Sequence, residues 1–298
     1  MLCSFAATAS RDARAQASAA AGAGLPAWAD SFTVLAPGAR YKRGAAVEAI
    51  LGHHYRELWA TKIRVPVLSL RRFAGGVTPV RAHAGSQTRS LRFVGADGRT
   101  YQFRSVDKDP TAQLAPELRT TIAGRVLQDG VSSSHPVGSL VASALLDAVG
   151  VLHVDQTLVV LPNDSALGEY RADFGGMFGM IEERPDETAD RAAAFAGARQ
   201  VISPTRLFER LDRSPGNRVD ARAFLVARLM DILMGDRDRH RDQFRWAKRD
   251  RPSDSLWQRI SRDHDEAFVK IDARFSASPP ITTRSSSASA RTTRRTIG

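Results

Sequence analysis

Cysteine is almost missing from this chain of 298 residues: Cys3 is the only one. A single thiol excludes an intramolecular disulfide and a multi-thiolate zinc centre. Long apolar runs are missing too. Nothing approaches the roughly 18 consecutive apolar residues that a membrane-crossing helix requires, so no transmembrane segment is expected. Acidic residues are absent from residues 274–298, which hold five Arg; five of the eleven net positive charges therefore sit in a terminal tail. Glycine-rich nucleotide motifs of the Gly-x-Gly-x-x-Gly or Walker type are also lacking. Aromatic residues do not alternate with the basic ones, so a nucleic-acid partner is not expected.

The start of the chain lacks the positively charged segment of a full signal peptide. It does offer the mildly apolar run Leu2 to Ala7 and the small residues Ala13, Ala15 and Ala17, suited to cleavage. Two readings stay open: a signal-peptide remnant of an exported protein of the periplasm or cell envelope, or an Ala-rich leader on a cytoplasmic one.

What is present suffices for a sizeable core, since 43% of the residues are apolar. The net charge of +11 fits either a polyanion partner or an Arg-favouring, GC-rich bacterial genome. Residues 1–38 are rich in Ala, Gly and Ser and read as leader and linker. Residues 60–185 read as a β-rich region, 200–273 as a helical one, and 274–298 as a disordered basic tail. The stretch 186–200 between them is charged and Ala-rich.

Within the β-rich region, Ile63 to Leu70 alternates around Pro66, the pattern of an edge strand. Leu91 to Val94 and Thr100 to Arg104 flank Ala96-Asp97-Gly98, a hairpin signal. The run Ala45 to Leu58 reads as a short helix, and its neighbours His53 and His54 point in different directions on it. Leu114 to Gln128 and Pro136 to Val149 read as helices, and Leu158 to Leu161 as a buried strand. Leu167 to Tyr170 and Met180 to Pro185 read as a further strand pair. Val219 to Met234 is the strongest helix, with Phe224, Leu225, Leu229, Ile232 and Leu233 as its apolar face and Gly235 as its stop.

Directly after that stop come Asp236-Arg237-Asp238-Arg239-His240, then Gln243. Trp257 to Ser261, which reads as a strand, leads into Asp263-His264-Asp265-Glu266-Ala267-Phe268. One acid able to accept a hydroxyl proton, an amide five residues later and a second acid able to hold a hard cation are the parts of phosphoryl transfer. Hard carboxylate oxygens suit Mg²⁺ or Mn²⁺. Arg104 and Lys108, beside the hairpin, are candidate phosphate-neutralising cations. Two other readings compete. An alternating charge run is the usual look of a solvated, self-paired surface. Alternatively, Asp236, Asp238, His240, Asp263 and His264 could hold a metal that activates water for hydrolysis.

Asp238-Arg239-His240 with Gln243, followed by Asp263-His264-Asp265-Glu266-Ala267-Phe268, resembles atypical kinases of the protein-kinase-like superfamily, in particular the HipA-like, CotH and secretory-pathway kinase families. The resemblance covers about residues 60 to 270. It implies an α+β, two-lobed fold with a β-rich N-lobe and a helical C-lobe, and an ATP- and Mg²⁺-dependent phosphotransferase. It implies Asp238 as catalytic base with His240 beside it, and Gln243, Asp263 and Asp265 as metal ligands. Arg104, Lys108 and Glu183 become nucleotide contacts. The partners implied are a nucleotide and a phosphate acceptor of unknown kind. A nucleotide-binding pseudokinase and an envelope-associated interaction module are the alternatives. The chain departs from those families in Gln243, where Asn is usual, and in Arg104, where Lys is usual; the planar guanidinium binds phosphate differently. Few apolar residues follow Asp265, so a truncated larger lobe, and hence a fragment, is expected.

Overall fold

The structure is a computed structural model that describes residues 24–84, 87–187, 195–248 and 256–272. Residues 1–23 of the expected leader, 188–194 of the charged, Ala-rich stretch and the whole expected basic tail, 274–298, lie outside the described residues. The fold is mixed α+β, with one seven-stranded and one four-stranded sheet. Among the described residues, no helix is long and apolar enough to cross a membrane.

The large sheet contains β1 (Ala29–Leu35), β2 (Ile63–Leu68), β3 (Val77–Ala84), β4 (Arg89–Gly95), β5 (Thr100–Ser105), β6 (Gln156–Val160) and β7 (Phe178–Glu183), in the order β1-β2-β6-β7-β5-β4-β3. The β4–β5 hairpin forms where Asp-Gly signals it. Gly98 takes φ 77°, and Asp97 accepts hydrogen bonds from the Arg99 N–H at 3.0 Å and the Tyr101 hydroxyl at 2.5 Å. Period-two alternation then sorts the strands. Leu91, Phe93, Tyr101, Phe103 and Ile181 enter one core with Leu68, Val159, Leu161 and Phe174. Burying each large apolar side chain contributes roughly 1.5–3 kcal/mol. Register pairs Arg104 with Met180 and Gln102 with Glu182, so these four residues share the opposite face.

The second sheet contains β8 (Gln200–Ile202), β9 (Arg218–Val219), β10 (Phe244–Lys248) and β11 (Leu256–Ser261), in the order β8-β10-β11-β9. Trp246 and Trp257 are buried in it. The longer helices are α1 (Ile122–Asp129), α2 (Gly138–Ala148), α3 (Pro204–Arg213) and α4 (Ala221–Leu233). The sheets meet through the segment before β6: Ser261 N–H donates to Leu152 O, and Val154 N–H donates to Ser261 O, both at 2.9 Å.

Helix α4 starts where Asp220 caps it, accepting from Ala223 N–H at 2.9 Å. It ends at Gly235, whose φ of 63° suits glycine. There Gly235 N–H bonds Ile232 O and Asp236 N–H bonds Asp231 O, both at 3.0 Å. This double bond-back fixes the direction in which Asp236 and its successors leave the helix.

Several expectations are corrected. Ala29–Leu35, placed in a linker, is a strand paired along its length with β2. Strand β2 is therefore not an edge. Its ladder to β6 is a single residue pair, Val67 with Val160, so the missing N–H of Pro66 is tolerated. Ser165–Tyr170 forms a 3₁₀ segment instead of a strand, started by Asp164 accepting from Ala166 N–H. Leu114 to Gln128 divides, because Thr121 caps a new helix by accepting from Gly124 N–H. Ala45 to Leu58 divides too, at Gly52 with φ 91°. The region 200–273, expected to be helical, carries the whole second sheet. Finally, α4 buries Ala227, Met230 and Asp231, while Leu225, Leu229, Ile232 and Leu233 are each more than half exposed. On the buried side Ala227 and Met230 pack with Ala142 and Leu146 of α2, and an ion pair adds to them: Asp231 accepts from Arg259 Nη2 of β11 at 2.8 and 3.1 Å, with both side chains almost fully enclosed.

Candidate functional site

The polar face of β5 and β7 looks onto the end of β11, and two ion-pair clusters form there. Arg104 Nη1 lies 2.6 Å from Asp263 Oδ1, and its Nε lies 3.7 Å from Glu182 Oε1. Gln156 Nε2 donates to the other Glu182 oxygen at 2.7 Å. Lys108 Nζ lies 3.0 Å from Asp265 Oδ2 and 2.8 Å from Glu266 Oε1. Strand β5 and the turn after it thus deliver both cations to one short acidic stretch.

Burial and neighbouring charge pull the two acids apart. Burial alone would raise Asp263, but the Arg104 guanidinium, with Arg262 and Lys108 behind it, holds its carboxyl well below the usual range. Asp265 is pushed up to about 6, chiefly by burial, with the Asp263 and Glu266 charges adding to the shift and Lys108 opposing it. Burial lowers Arg262 to about 10. The buried Arg104 Nε and Glu182 Oε1 each lack a hydrogen-bond partner.

Asp263 sits at φ 60°, a conformation that Asp tolerates better than most residues. Arg239 holds it there by donating to the carbonyl oxygens of Arg262, at 2.9 Å, and of Asp263. Arg239 is itself paired with Asp236 at 3.1 Å, and Asp236 is 2.8 Å from His264 Nδ1. All three of those side chains are buried, so the loop after α4 and the loop after β11 are lashed together from inside.

The remaining candidates form a smaller group beside this lashing. Gln243 Nε2 donates to Asp238 Oδ2 at 3.2 Å, and His240 Nε2 is 3.5 Å from Asp238 Oδ1. Gln243 is buried, Asp238 half-buried and His240 exposed. The only cation-ligating atom Gln243 can offer is its carbonyl oxygen.

A small cleft, partly open to solvent, runs along Arg104, Lys108, Gln156, Met180, Asp263 and Asp265. Four of the expected residues, Arg104, Lys108, Asp263 and Asp265, therefore share one wall. Asp238, His240 and Gln243 are not part of that wall; Arg239 ties their loop to the backbone of Asp263. Glu183 is elsewhere, 2.9 Å from Arg99 at the far end of the hairpin, and burial raises it above an ordinary Glu.

Sequence reasoning missed Glu182 and Arg239 as parts of the assembly, and considered Asp236 only as a possible ligand of a hydrolytic metal. Strand parity was the available signal for Glu182: Ile181 belongs to the core, so Glu182 must face the other way while Glu183 shares the core's side. The charge run resolves into two kinds of residue. Asp236 and Arg239 are buried and paired inward, while Arg237, Arg241 and Asp242 are exposed. The five residues considered for a hydrolytic metal do not gather. Among the described residues, no three of Asp236, Asp238, His240, Asp263 and His264 bring ligand atoms within 4.8 Å of one another. No protein-family model, curated protein or solved structure matches the chain.

Proposed function

We propose that the chain is a nucleotide-dependent phosphotransferase of the atypical kinase type, with a β-rich lobe around the large sheet and a second lobe around α4 and the β10–β11 hairpin. The observation that supports this reading most is the Arg104–Asp263 pair at 2.6 Å. It joins a strand cation of one sheet to the acid that follows a hairpin of the other. The chain order helix, acidic loop, hairpin, acid is the order that phosphoryl transfer in this superfamily uses.

By donor chemistry the two carboxylates that share the cleft wall, Asp263 and Asp265, suit a hard divalent cation, while the Gln243 amide lies beside Asp238, outside that wall. Bound there with a nucleotide, Mg²⁺ would supply neutralisation of phosphate charge. The chain's own groups do the rest. Arg104 and Lys108 exchange a carboxylate partner for phosphate oxygens. Glu182 keeps Arg104 oriented while that exchange takes place. Asp238 accepts the proton of an acceptor hydroxyl, and Gln243 and His240 hold its carboxylate. Arg239, fixed by Asp236, keeps Asp263 facing the cleft.

Mg²⁺-dependent ATP consumption tests the reading. Asp263→Asn should abolish it, and Asp238→Ala should lower it by about 10²–10⁴-fold, the usual contribution of a general base. Full turnover in the Asp238→Ala variant would remove that role from Asp238. One observation favours a second reading, nucleotide binding without transfer: Asp238 lies outside the wall of the cleft. In that case nucleotide would bind the wild-type protein with no Mg²⁺-dependent turnover.

A further inference from the structure

A third cluster of ionisable groups lies apart from the cleft, at the C-terminal end of α2. Gly150, with φ 67°, reverses the chain after that helix. The returning segment runs extended beside β11, with His153 bridged to Ser261. In an extended segment residues two apart share a side. His153 and Asp155 consequently point the same way, toward Asp147 in the helix's last turn.

The geometry there is specific. His153 Nδ1 lies 2.9 Å from Val151 O, an atom that can only accept. In the neutral ring the proton is therefore on Nδ1, and Nε2 presents a lone pair. That Nε2 has no hydrogen-bond partner, and the His153 side chain is only 4% exposed. It faces Asp155 Oδ1 at 2.9 Å and Asp147 Oδ1 at 3.9 Å. One ligand atom from each of the three residues lies within 4.8 Å of the others. A lone pair aimed at two carboxylate oxygens is repulsive unless a positive species lies between them.

We infer that Asp147, His153 and Asp155 form a binding site for one divalent transition-metal ion, with Zn²⁺ the best match. A tetrahedral zinc with bonds of about 2.0–2.2 Å places neighbouring ligand atoms about 3.4 Å apart. The present separations of 2.9 and 3.9 Å lie on either side of that value. Asp147 and Asp155 are 71% and 81% exposed and free to make the small adjustment. The Nδ1–H···O bond to Val151 is the kind of outer contact that fixes a ligating imidazole. The negative end of the α2 dipole adds attraction for a cation. One nitrogen with two oxygens disfavours Mg²⁺, which takes oxygen ligands and keeps its waters. The three ligands leave a fourth position for water. The ion would clip the end of α2 to the segment that pairs with Ser261, two residues before Asp263. This site does not depend on the phosphotransferase reading.

The test is calorimetric titration of ZnCl₂ into the full chain in excess Mg²⁺, with thermal unfolding and amide exchange in parallel. The wild type should bind one ion, gain about 5 °C or more at a hundredfold excess of zinc over Kd, and exchange the Val154 and Ser261 amides more slowly. The Asp147→Asn/Asp155→Asn double variant changes only exposed groups. It should fold normally and bind zinc at least tenfold more weakly. His153→Gln should lose the site as well. Zinc binding of equal strength in the double variant would overturn the assignment. So would a wild type indifferent to zinc, the result expected if His153 is instead a protonated partner of Asp155.

Discussion

Removing the Asp236 carboxylate tests whether the two loops of the cleft are held from within. In Asp236→Ala the Arg239 guanidinium loses its counter-charge while still buried, and His264 loses its acceptor. Breaking one partner of a buried pair typically costs ~3–5 kcal/mol, because the remaining charge stays unsolvated. Here Asp236, Arg239 and His264 are 0%, 3% and 5% exposed, so water cannot readily replace the lost group. At roughly 2–4 °C per kcal/mol for a domain of this size class, the melting temperature should fall by about 6–20 °C. Urea unfolding of the wild type, Asp236→Ala, Arg239→Met and the double variant measures it. The double variant should be less destabilised than the sum of the singles, since removing both charges leaves neither stranded. A loss below about 1 kcal/mol in Asp236→Ala would refute the reasoning. So would strict additivity, showing that the Asp236–Arg239 contact does not couple the loops.

Three other outcomes follow from the same structure. Asp265→Asn should leave stability nearly unchanged below pH 4 and raise it by ~1 kcal/mol at pH 8 without Mg²⁺, once the exposure of the side chain is allowed for. The sign comes from a folded-state value near 6 against an ordinary one near 3.9: the native state holds this proton more tightly, so stability is full below the ordinary value and declines as pH rises through 6. Denaturant midpoints across pH check it, and a destabilised variant at pH 8 would contradict it. Gly235→Ala should cost about 1–2 kcal/mol purely from its φ of 63°, because an added Cβ meets nothing within 4 Å. Leu229→Ser on α4 should cost less than about 0.5 kcal/mol by urea melt, whereas Met230→Ser, one residue on and buried, should cost several times more.

Local signals were readable in the sequence. Asp97-Gly98 specified a hairpin, and Gly235 specified the end of α4, because each requires a backbone conformation that few other residues adopt cheaply. The succession from α4 through Asp238 to Asp263 was readable for the same reason: it is contiguous. What escaped was decided by tertiary context. The choice between Glu182 and Glu183 depends on which face of β7, that of Ile181 or the opposite one, is turned toward Arg104, and strand parity decides it only once β7 is placed between β5 and β6. The leucines of α4 look like a core face, yet the helix buries its other side, where Ala227 and Met230 pack beside α2 and Asp231 pairs with Arg259, a polar contact that hydrophobic periodicity ignores. Asp147, His153 and Asp155 match no familiar ligand spacing. Their convergence needs the reversal at Gly150 and the pairing with Ser261. Parallel contacts such as β2 with β6 are invisible to any short window.

The pairing of Lys108 with Glu266 has a kinetic side. These residues are 158 positions apart. The β4–β5 hairpin closes over a few residues, on a microsecond scale, whereas contacts between distant positions form late, because the entropy of closing the loop precedes any reward. By that reasoning the local contacts of the β4–β5 hairpin form earlier than the pairing of Arg104 and Lys108 with their acidic partners. The charges of the cleft thus join regions far apart along the chain, and the bond from the Tyr55 hydroxyl to Phe268 O spans a longer loop still, 213 positions.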